Sequence, residues 1–349
     1  MQSRPGPGSR LRSWARRNQP AIALLLLAPS IPELLTGSTP VSEIVYNPFG
    51  FVIGFSLDIA LYGTGALLIR EVTVILQKGW GSILLFGAAY GIAEEGFEVH
   101  TFFQRSGTPV DSLGSYGHLY GVNWLWALSL TVFHATYSIA LPILLTRLWF
   151  PETKDQRWFG RRGIGLLATV FVVEVVGFGG FVVGHGPTPA ALTFFIALVA
   201  LLVTLGVWVP KDLLWPVAGP RRIGTVTLAF LGAVEFLVYF VVLVVSGPQP
   251  IPAVAAAAFL VLADGAVLVI LLRRVGTENL ERSEFIFAVG MLSALFVWDG
   301  LIELILVPGI LVVTALFIYL LYRLNRTLRS REPSFEVPRG AAGLPPAGP

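Results

Sequence analysis

The chain has no cysteine and few charged residues, and these two absences narrow the classes of protein to which it can belong. Without cysteine, disulfide frameworks and thiolate metal sites are excluded. Charged residues make up 13% of the 349 residues, whereas soluble domains carry about 25%. Long apolar runs take the place of the missing charge, and the mean hydropathy is +0.75. This composition indicates an integral membrane protein that crosses the bilayer several times.

Apolar segments long enough to cross a bilayer recur along the chain, since about 20 residues suffice for one crossing. The predicted fold class is therefore all-α, a polytopic transmembrane helix bundle of about ten spans. The stretch from Phe285 to Leu324 counts as two spans, because Pro308 and Gly309 divide it. The predicted spans are 20–35, 49–76, 80–103, 123–150, 163–184, 187–209, 223–245, 252–272 and the two parts of 285–324.

Arginine and lysine fall almost entirely on one side of this predicted bundle. With the N-terminus in the cytoplasm, all but one of the 24 Lys and Arg residues lie in or beside cytoplasmic segments, and Arg105 is the exception. Loops rich in Lys and Arg stay in the cytoplasm during insertion. The sequence therefore predicts a multi-pass protein of the plasma (cytoplasmic) membrane with both termini in the cytoplasm.

The composition divides the chain into three parts. Residues 1–18 are a basic segment predicted to be disordered, 19–325 a single transmembrane helical domain, and 326–349 a Pro/Gly-rich tail predicted to be disordered. The first apolar run also resembles a signal peptide, because basic residues precede it. We favour a retained helix, since the apolar character continues past Ala28 without a small-x-small cleavage pattern. Two prolines predict a bend or break of this helix near Glu33.

The third predicted span contains three carboxylates, Glu94, Glu95 and Glu98, within an apolar run. A charged side chain in the bilayer costs roughly 2.5–3.5 kcal/mol, so such groups usually face the bundle interior and serve a function. The next span runs back and places His134 at a similar depth, because each helical residue rises about 1.5 Å. Spacings of three and four residues place the carboxylates on one broad face. The sequence therefore predicts a buried Glu-Glu-His site between these two spans.

These residue types suit catalysis and cation binding. Glu94 or Glu95 can act as general base for a water molecule that His134 positions, so these three are the candidate catalytic residues. The same three together with Glu98 are candidate ligands of a divalent cation, although carboxylate and imidazole do not select one metal. A third interpretation assigns all four side chains to hydrogen bonds between helices.

Glu94-Glu95 on one membrane helix, followed by His134 on the next, resembles the CAAX-protease-like family of intramembrane glutamate proteases. That family shows Glu-Glu-x-x-x-Arg, Phe-x-x-x-His and His-x-x-x-Asn motifs. Here Val99 and Leu130 stand at the arginine and phenylalanine positions, and the third motif is missing. The resemblance implies a membrane-embedded hydrolase or protease-like enzyme in which Glu94 or Glu95 is the base and His134 its partner.

A longer pattern looks like an uncharacterised polytopic membrane-protein family of archaea and bacteria. The pattern comprises Tyr90 to Gly96, Gly121 to Trp124, and Phe133-His134. This second resemblance implies membrane location and no particular activity.

Acidic residues scattered through other predicted spans favour a second function, a secondary transporter for a small solute or ion. Each acid alone is more typical of a structural or water-facing group, but together they could line a proton or cation path. The expected partners are the lipid bilayer and an unknown small molecule or membrane peptide, with no nucleic acid, since the net charge is only +3. The scattered acids are Asp58, Glu174, Glu235, Asp264, Asp299 and Glu303.

Two further sets of residues are assigned to the edges of the bilayer. Arg70 and Glu71 near the inner end of the second span either pair with their neighbours or lie among lipid headgroups. Tryptophans near span ends, among them Trp126 and Trp158, fit the aromatic belt of the membrane interface.

Overall fold

The computed structural model describes residues 7–104, 116–181, 186–217, 219–240, 251–304 and 307–331. Within these residues, helices joined by turns and loops form nearly the whole structure. The described strands are one short antiparallel pair, β1 (His118–Leu119) and β2 (Val122–Asn123). The prediction of an all-α membrane helix bundle is confirmed.

The described bundle consists of α-helices, π-helical segments that continue or precede them without a break, and two short 3-10 helices, Thr101–Phe103 and Pro151–Thr153. The α-helices are α1 (Pro7–Pro29), α2 (Glu43–Tyr46), α3 (Pro48–Asp58), α4 (Thr64–Ile75), α5 (Trp80–Ile92), α6 (Trp124–Phe133), α7 (Leu141–Trp149), α8 (Arg161–Phe181), α9 (Pro189–Trp208), α10 (Thr225–Phe240), α11 (Ala253–Arg274), α12 (Leu280–Ile302) and α13 (Ile310–Arg331). The π segments are Ser30–Leu34, Ile59–Gly63, Ala93–Glu98 and His134–Ala140.

Each predicted apolar segment contains a helix of the structure, and the ends differ by a few residues except at α1, which begins at Pro7. Seven helices in the described part of the chain are long and apolar enough to cross a membrane. Helix α10 is apolar but shorter, and residues 241–250, into which its predicted span extends, lie outside the described residues. Ten crossings therefore remains a prediction. The seven helices are Pro48–Ile75, Trp124–Trp149, Arg161–Gly180, Pro189–Trp208, Ala253–Arg274, Leu280–Ile302 and Ile310–Arg331.

Helices extend into both terminal segments that composition assigns to disorder. Helix α1 begins at Pro7, and α13 continues to Arg331. The end of α13 is anchored, because the Arg331 guanidinium donates to the carbonyl oxygens of Leu148 at 2.9 Å and Trp149 at 3.1 Å. Leu328 on the same turn is buried. These contacts stabilise the helix beyond the predicted boundary at residue 326. Amino-acid composition alone does not predict them, because they join parts of the chain that are far apart in the sequence.

Helix α5 packs directly against the π segment that begins at His134. Glycine permits this approach: a Cβ added at Gly87 would lie 2.9 Å from the Cα of Ala135, and one at Gly91 would lie 2.9 Å from the Cβ of His134. Small residues let membrane helices approach closely enough to pack. The third and fourth predicted spans are therefore neighbours, and the carboxylates at the end of α5 lie beside His134.

Arg70 and Glu71 form a buried ion pair on α4 that holds the loop after α7. Arg70 donates to the carbonyl oxygens of Thr153 at 2.7 Å and Lys154 at 3.2 Å, and its guanidinium lies 3.5 Å from the ring centre of Trp158. Glu71 accepts from the backbone N–H of Trp158 at 3.1 Å. The predicted pairing with neighbours is confirmed, and the location among lipid headgroups stays a prediction.

Candidate functional site

Every π segment carries a polar residue of the candidate site. A π turn inserts one residue into a helix and re-aims the side chains around it, and such segments are frequent at functional sites. The residues are Glu33 in Ser30–Leu34, Tyr62 in Ile59–Gly63, Glu94 and Glu95 in Ala93–Glu98, and His134 at the start of His134–Ala140.

His134 lies between the two adjacent carboxylates of the third predicted span. Its Nε2 is 3.0 Å from Oε1 of Glu95, and its Nδ1 is 3.1 Å from Oε2 of Glu94. Nδ1 also lies 2.9 Å from Oγ of Ser138, and this contact has hydrogen-bond geometry, whereas Oε2 of Glu94 has no hydrogen bond among the described residues. All three ionisable side chains are buried. The predicted approach of a carboxylate to His134 within hydrogen-bond reach is confirmed.

A chain of side-chain donors orients Glu95. The Thr101 hydroxyl donates to Oε2 of Glu95, and the Trp126 indole N–H donates to Oγ1 of Thr101 at 3.0 Å. The predicted cap of α6 is confirmed, because Asn123 Oδ1 accepts from the backbone N–H of Trp126 at 3.1 Å. Trp126 is buried inside the protein and is therefore not part of the lipid-facing aromatic belt to which its position assigns it.

The hydroxyl of Tyr62 contacts two carboxylates at once. It lies 2.5 Å from Oε1 of Glu33 and also contacts Oε1 of Glu94. A phenol has one proton to donate, and an ionised carboxylate has none. The hydroxyl cannot donate to both acids, so one of them carries a proton of its own or shares a cation with its neighbours.

The same arrangement recurs at Thr39, whose hydroxyl lies 3.0 Å from an oxygen of Glu33 and 3.0 Å from an oxygen of Asp58. Shared hydroxyls therefore connect the half-buried Asp58 and Glu33 to the buried Glu94. The sequence does not predict Tyr62 and Thr39 as residues of the site, because neutral hydroxyl groups are common in apolar segments. The available signal was the position of Tyr62, one helical turn after Asp58.

The cluster opens on a cavity of about 610 Å³. No Lys or Arg lines this cavity in the part of the chain that the structure describes. Ionised carboxylates are very costly to bury without a counter-charge, and one imidazole cannot balance so many. Protons or a bound cation must therefore neutralise the site. The lining carboxylates are Glu33, Asp58, Glu94, Glu95, Glu98 and Glu174.

Glu94, Glu95 and His134 can converge on one divalent cation. One ligand atom from each lies within 4.8 Å of the others. Catalytic zinc is held by three such ligands at about 2.0–2.2 Å with the fourth position left for water, which sets ligand atoms about 3–4 Å apart. Small side-chain rotations would therefore complete the set. Glu98, the fourth predicted ligand, lines the same cavity but lies outside this convergent group.

A model of an uncharacterized membrane protein family matches residues 22–329, a range that includes the whole cluster. The chain belongs to this uncharacterized membrane protein family. Comparisons with curated proteins and with solved structures give no match. Membership confirms the membrane location and the predicted resemblance to an uncharacterised family, and it assigns no activity.

Not all of the scattered acids of this membrane protein lie in the cluster around Glu94, Glu95 and His134. Asp58 and Glu174 line its cavity. Glu235 and Asp264 instead line a second cavity, of about 440 Å³, that Ala135, Thr136 and Ala140 of the His134–Ala140 segment also line.

The last two scattered acids have structural partners. Asp299 accepts a hydrogen bond from the Thr314 hydroxyl at 2.5 Å and joins α12 to α13. Glu303 accepts from the backbone N–H of Gly309 at 3.0 Å and of Leu311 at 3.1 Å, so it caps the start of α13. Each forms local contacts that account for its position.

Proposed function

We propose that the protein is a membrane-embedded hydrolase in which Glu94, Glu95 and His134 activate a water molecule. The observation that carries this proposal is the convergence of the two carboxylates on the imidazole, at 3.0 and 3.1 Å, beside a cavity with room for water and substrate. A purely structural set of hydrogen bonds would not need such a cavity, nor an excess of unneutralised acids.

Glu94, Glu95 and His134 would hold a divalent cation, which would supply the missing positive charge, make a bound water more acidic and polarise the bond to be cleaved. Glu98 is the proposed acceptor of the water proton, since it lines the cavity and its Oε2 has no hydrogen bond among the described residues. The water oxygen then forms a bond to the electrophilic atom of the substrate, the bond from that atom to the leaving group breaks, and Glu98 passes the proton taken from water to the leaving group.

The substrate is proposed to be an amphiphile, either a membrane peptide or a small lipid-like molecule. The cavity is formed between apolar helices, and aromatic side chains line it together with the acids. Such a lining accepts an apolar body while the polar cluster meets the reacting bond. The aromatic lining residues include Trp126, Phe178, Tyr239, Phe240 and Trp298.

Hydrolysis in 18O-labelled water tests the proposal. Full-length protein in proteoliposomes is supplied with mixed membrane peptides and lipid esters, and the products are analysed by mass spectrometry. We expect 18O in the products of the wild type and a loss of about 100-fold or more in Glu95→Gln and His134→Ala. Glu281→Gln, an exposed acid in the first turn of α12, is the control. Equal incorporation of 18O into the products by the wild type and by Glu95→Gln would contradict the hydrolase proposal.

A chelator separates two modes of water activation. Loss of labelling with chelator and its return with Zn²⁺ or Mn²⁺ is the expected result. Labelling that survives chelation would leave a hydrolase in which Glu94 or Glu95 is a metal-free general base.

A secondary transporter is the second candidate function, and the acid pair Glu235 and Asp264 in the neighbouring cavity favours it. Acids in two adjacent cavities could pass protons or cations through the bundle. In that case proteoliposomes would show a proton or cation flux that Asp264→Asn removes, and no 18O-labelled product.

We also infer that the membrane is the plasma membrane, with both termini in the cytoplasm and one transmembrane domain over about 19–325. The distribution of Lys and Arg supports this inference, because all but one of the 24 lie on one side of the predicted topology.

A further inference from the structure

A second polar site lies at one end of the bundle, away from the acidic cluster. The end of α4, the start of α5, the end of α7 and the loops 150–160 and 209–216 enclose a pocket of about 460 Å³. Gly79 lets the second loop close over the α4–α5 turn, because a Cβ there would lie 2.3 Å from the carbonyl oxygen of Lys211. The basic residues that line the pocket are Arg70, Lys78, Arg147, Lys154 and Lys211.

Two of these cations form hydrogen bonds within the protein, and the structure shows none among the described residues for the other three. Arg70 is paired with Glu71, and Lys78 donates to a backbone carbonyl at 2.9 Å. In the described part of the chain, Arg147, Lys154 and Lys211 form no side-chain hydrogen bond or ion pair, although Arg147 makes a cation–π contact 5.4 Å from the ring centre of Trp80.

Acidic residues reduce this positive charge without cancelling it. Asp155 lines the pocket, and Glu284 interacts electrostatically with Arg147 and Lys154 from the neighbouring helix. Positive groups still outnumber negative ones around the pocket.

Neutral donors in the same pocket also lack partners. The Thr146 hydroxyl and the Trp158 indole N–H are buried and have no hydrogen bond among the described residues. An indole N–H can only donate, so the missing partner must be a hydrogen-bond acceptor. Unpaired cations together with unpaired donors are the complement of an oxyanion such as a phosphate group.

An apolar cavity adjoins this basic pocket. Trp80 and Trp215 line both spaces and stand at their boundary. The apolar cavity is the one of about 440 Å³ whose lining also includes Glu235, Asp264 and Glu284. Its remaining lining is mostly aliphatic and includes Leu84, Leu144, Leu214, Leu268 and Leu271.

We propose that this end of the protein binds a membrane lipid with a phosphate headgroup. The phosphate lies among Arg147, Lys154 and Lys211, and one acyl chain passes between Trp80 and Trp215 into the apolar cavity. The predicted topology places these basic residues at the cytoplasmic face, where anionic lipids attract Lys and Arg. A soluble phosphate would use the basic pocket and leave the apolar cavity unexplained.

Binding to the purified full-length protein in detergent tests the proposal. The probes are dioleoyl-phosphatidylglycerol, its dihexanoyl analogue, dioleoyl-phosphatidylcholine and inorganic phosphate, with the thermal unfolding midpoint as readout. We expect the long-chain anionic lipid to raise the midpoint at lower concentration than the other three probes. The double variant Arg147→Gln/Lys211→Gln should weaken its apparent affinity by about tenfold or more, since each basic residue contributes about 1 kcal/mol.

The matched control is Arg273→Gln/Arg274→Gln, which removes the same charge from exposed positions at the end of α11. This control should keep the affinity of the wild type. Equal loss in both double variants would overturn the proposal, because it would indicate general surface attraction. Saturation by inorganic phosphate, or equal affinity for the long-chain and short-chain lipids, would overturn the assignment to a lipid.

Discussion

At Glu95 both carboxylate oxygens have defined partners. Oε1 lies 3.0 Å from Nε2 of His134, and Oε2 accepts from the Thr101 hydroxyl. Partners from different helices fix the rotamer of such a side chain, as the supporting hydrogen bonds of metal ligands do. Glu94 differs, because its Oε2 has no hydrogen bond among the described residues and so remains available to a ligand.

Glu95 and His134 are predicted to act as one unit. Glu95→Gln keeps the volume and removes the charge, so a purely structural role should tolerate it within about 1–2 kcal/mol of unfolding free energy. We expect both Glu95→Gln and His134→Ala to abolish hydrolysis in stable, inserted protein. The double variant should be no worse than either single one, since residues that act together are non-additive. If the losses of hydrolytic activity multiply in the double variant, the two residues have independent roles. Glu281→Gln is the control for the removal of one negative charge.

Single residues also set the limit of what the sequence predicts. Glu94, Glu95 and His134 are predictable, because an ionisable group in an apolar run is costly unless it has a purpose. Tyr62 and Thr101 are not, because a hydroxyl in an apolar segment is common. The carboxylates that Tyr62 contacts lie 29 and 32 residues away, and the Trp126 indole that donates to Thr101 lies 25 residues away. Their roles depend on which helices meet, and a single sequence does not state this.

At the scale of elements, the positions of the apolar helices follow from the sequence and the local departures from α geometry do not. Apolar length predicts the spans, and Asn123 predicts the start of α6. Pro29 and Pro32 predict a disturbance near Glu33, and the π segment Ser30–Leu34 lies there. The segment Ala93–Glu98 has no proline, so its π geometry depends on packing against neighbouring helices and on the contacts of its acids.

At the scale of the whole molecule, burial separates central helices from lipid-facing ones. In the most apolar window of Trp124–Trp149, 72% of residues are buried, against 11% for Arg161–Gly180 and 17% for Ala253–Arg274. The helix with His134 therefore lies in the interior, and the others present apolar surface to lipid. Hydropathy is high in all three, so the sequence does not distinguish the two kinds.

Topology is predicted for the whole molecule from its charge distribution. Reporter fusions after Pro210 and Arg331 should report the cytoplasm, and a fusion within residues 246–251 should report the outer side. The reason is that Lys and Arg retain their segments in the cytoplasm. Reversal of this set would contradict the cytoplasmic assignment of the basic pocket and of both termini.

Cation binding by the purified full-length protein tests the central claim most directly. Titration of metal-free protein with Mn²⁺, followed by electron paramagnetic resonance, reports the number of bound ions and their affinity. We predict one strong site per chain that weakens by about 10–100-fold or more in Glu94→Gln, Glu95→Gln and His134→Ala, and is unchanged in Glu281→Gln. Absence of a strong site in the wild type, or a site of equal affinity in His134→Ala, would contradict the proposed metal centre.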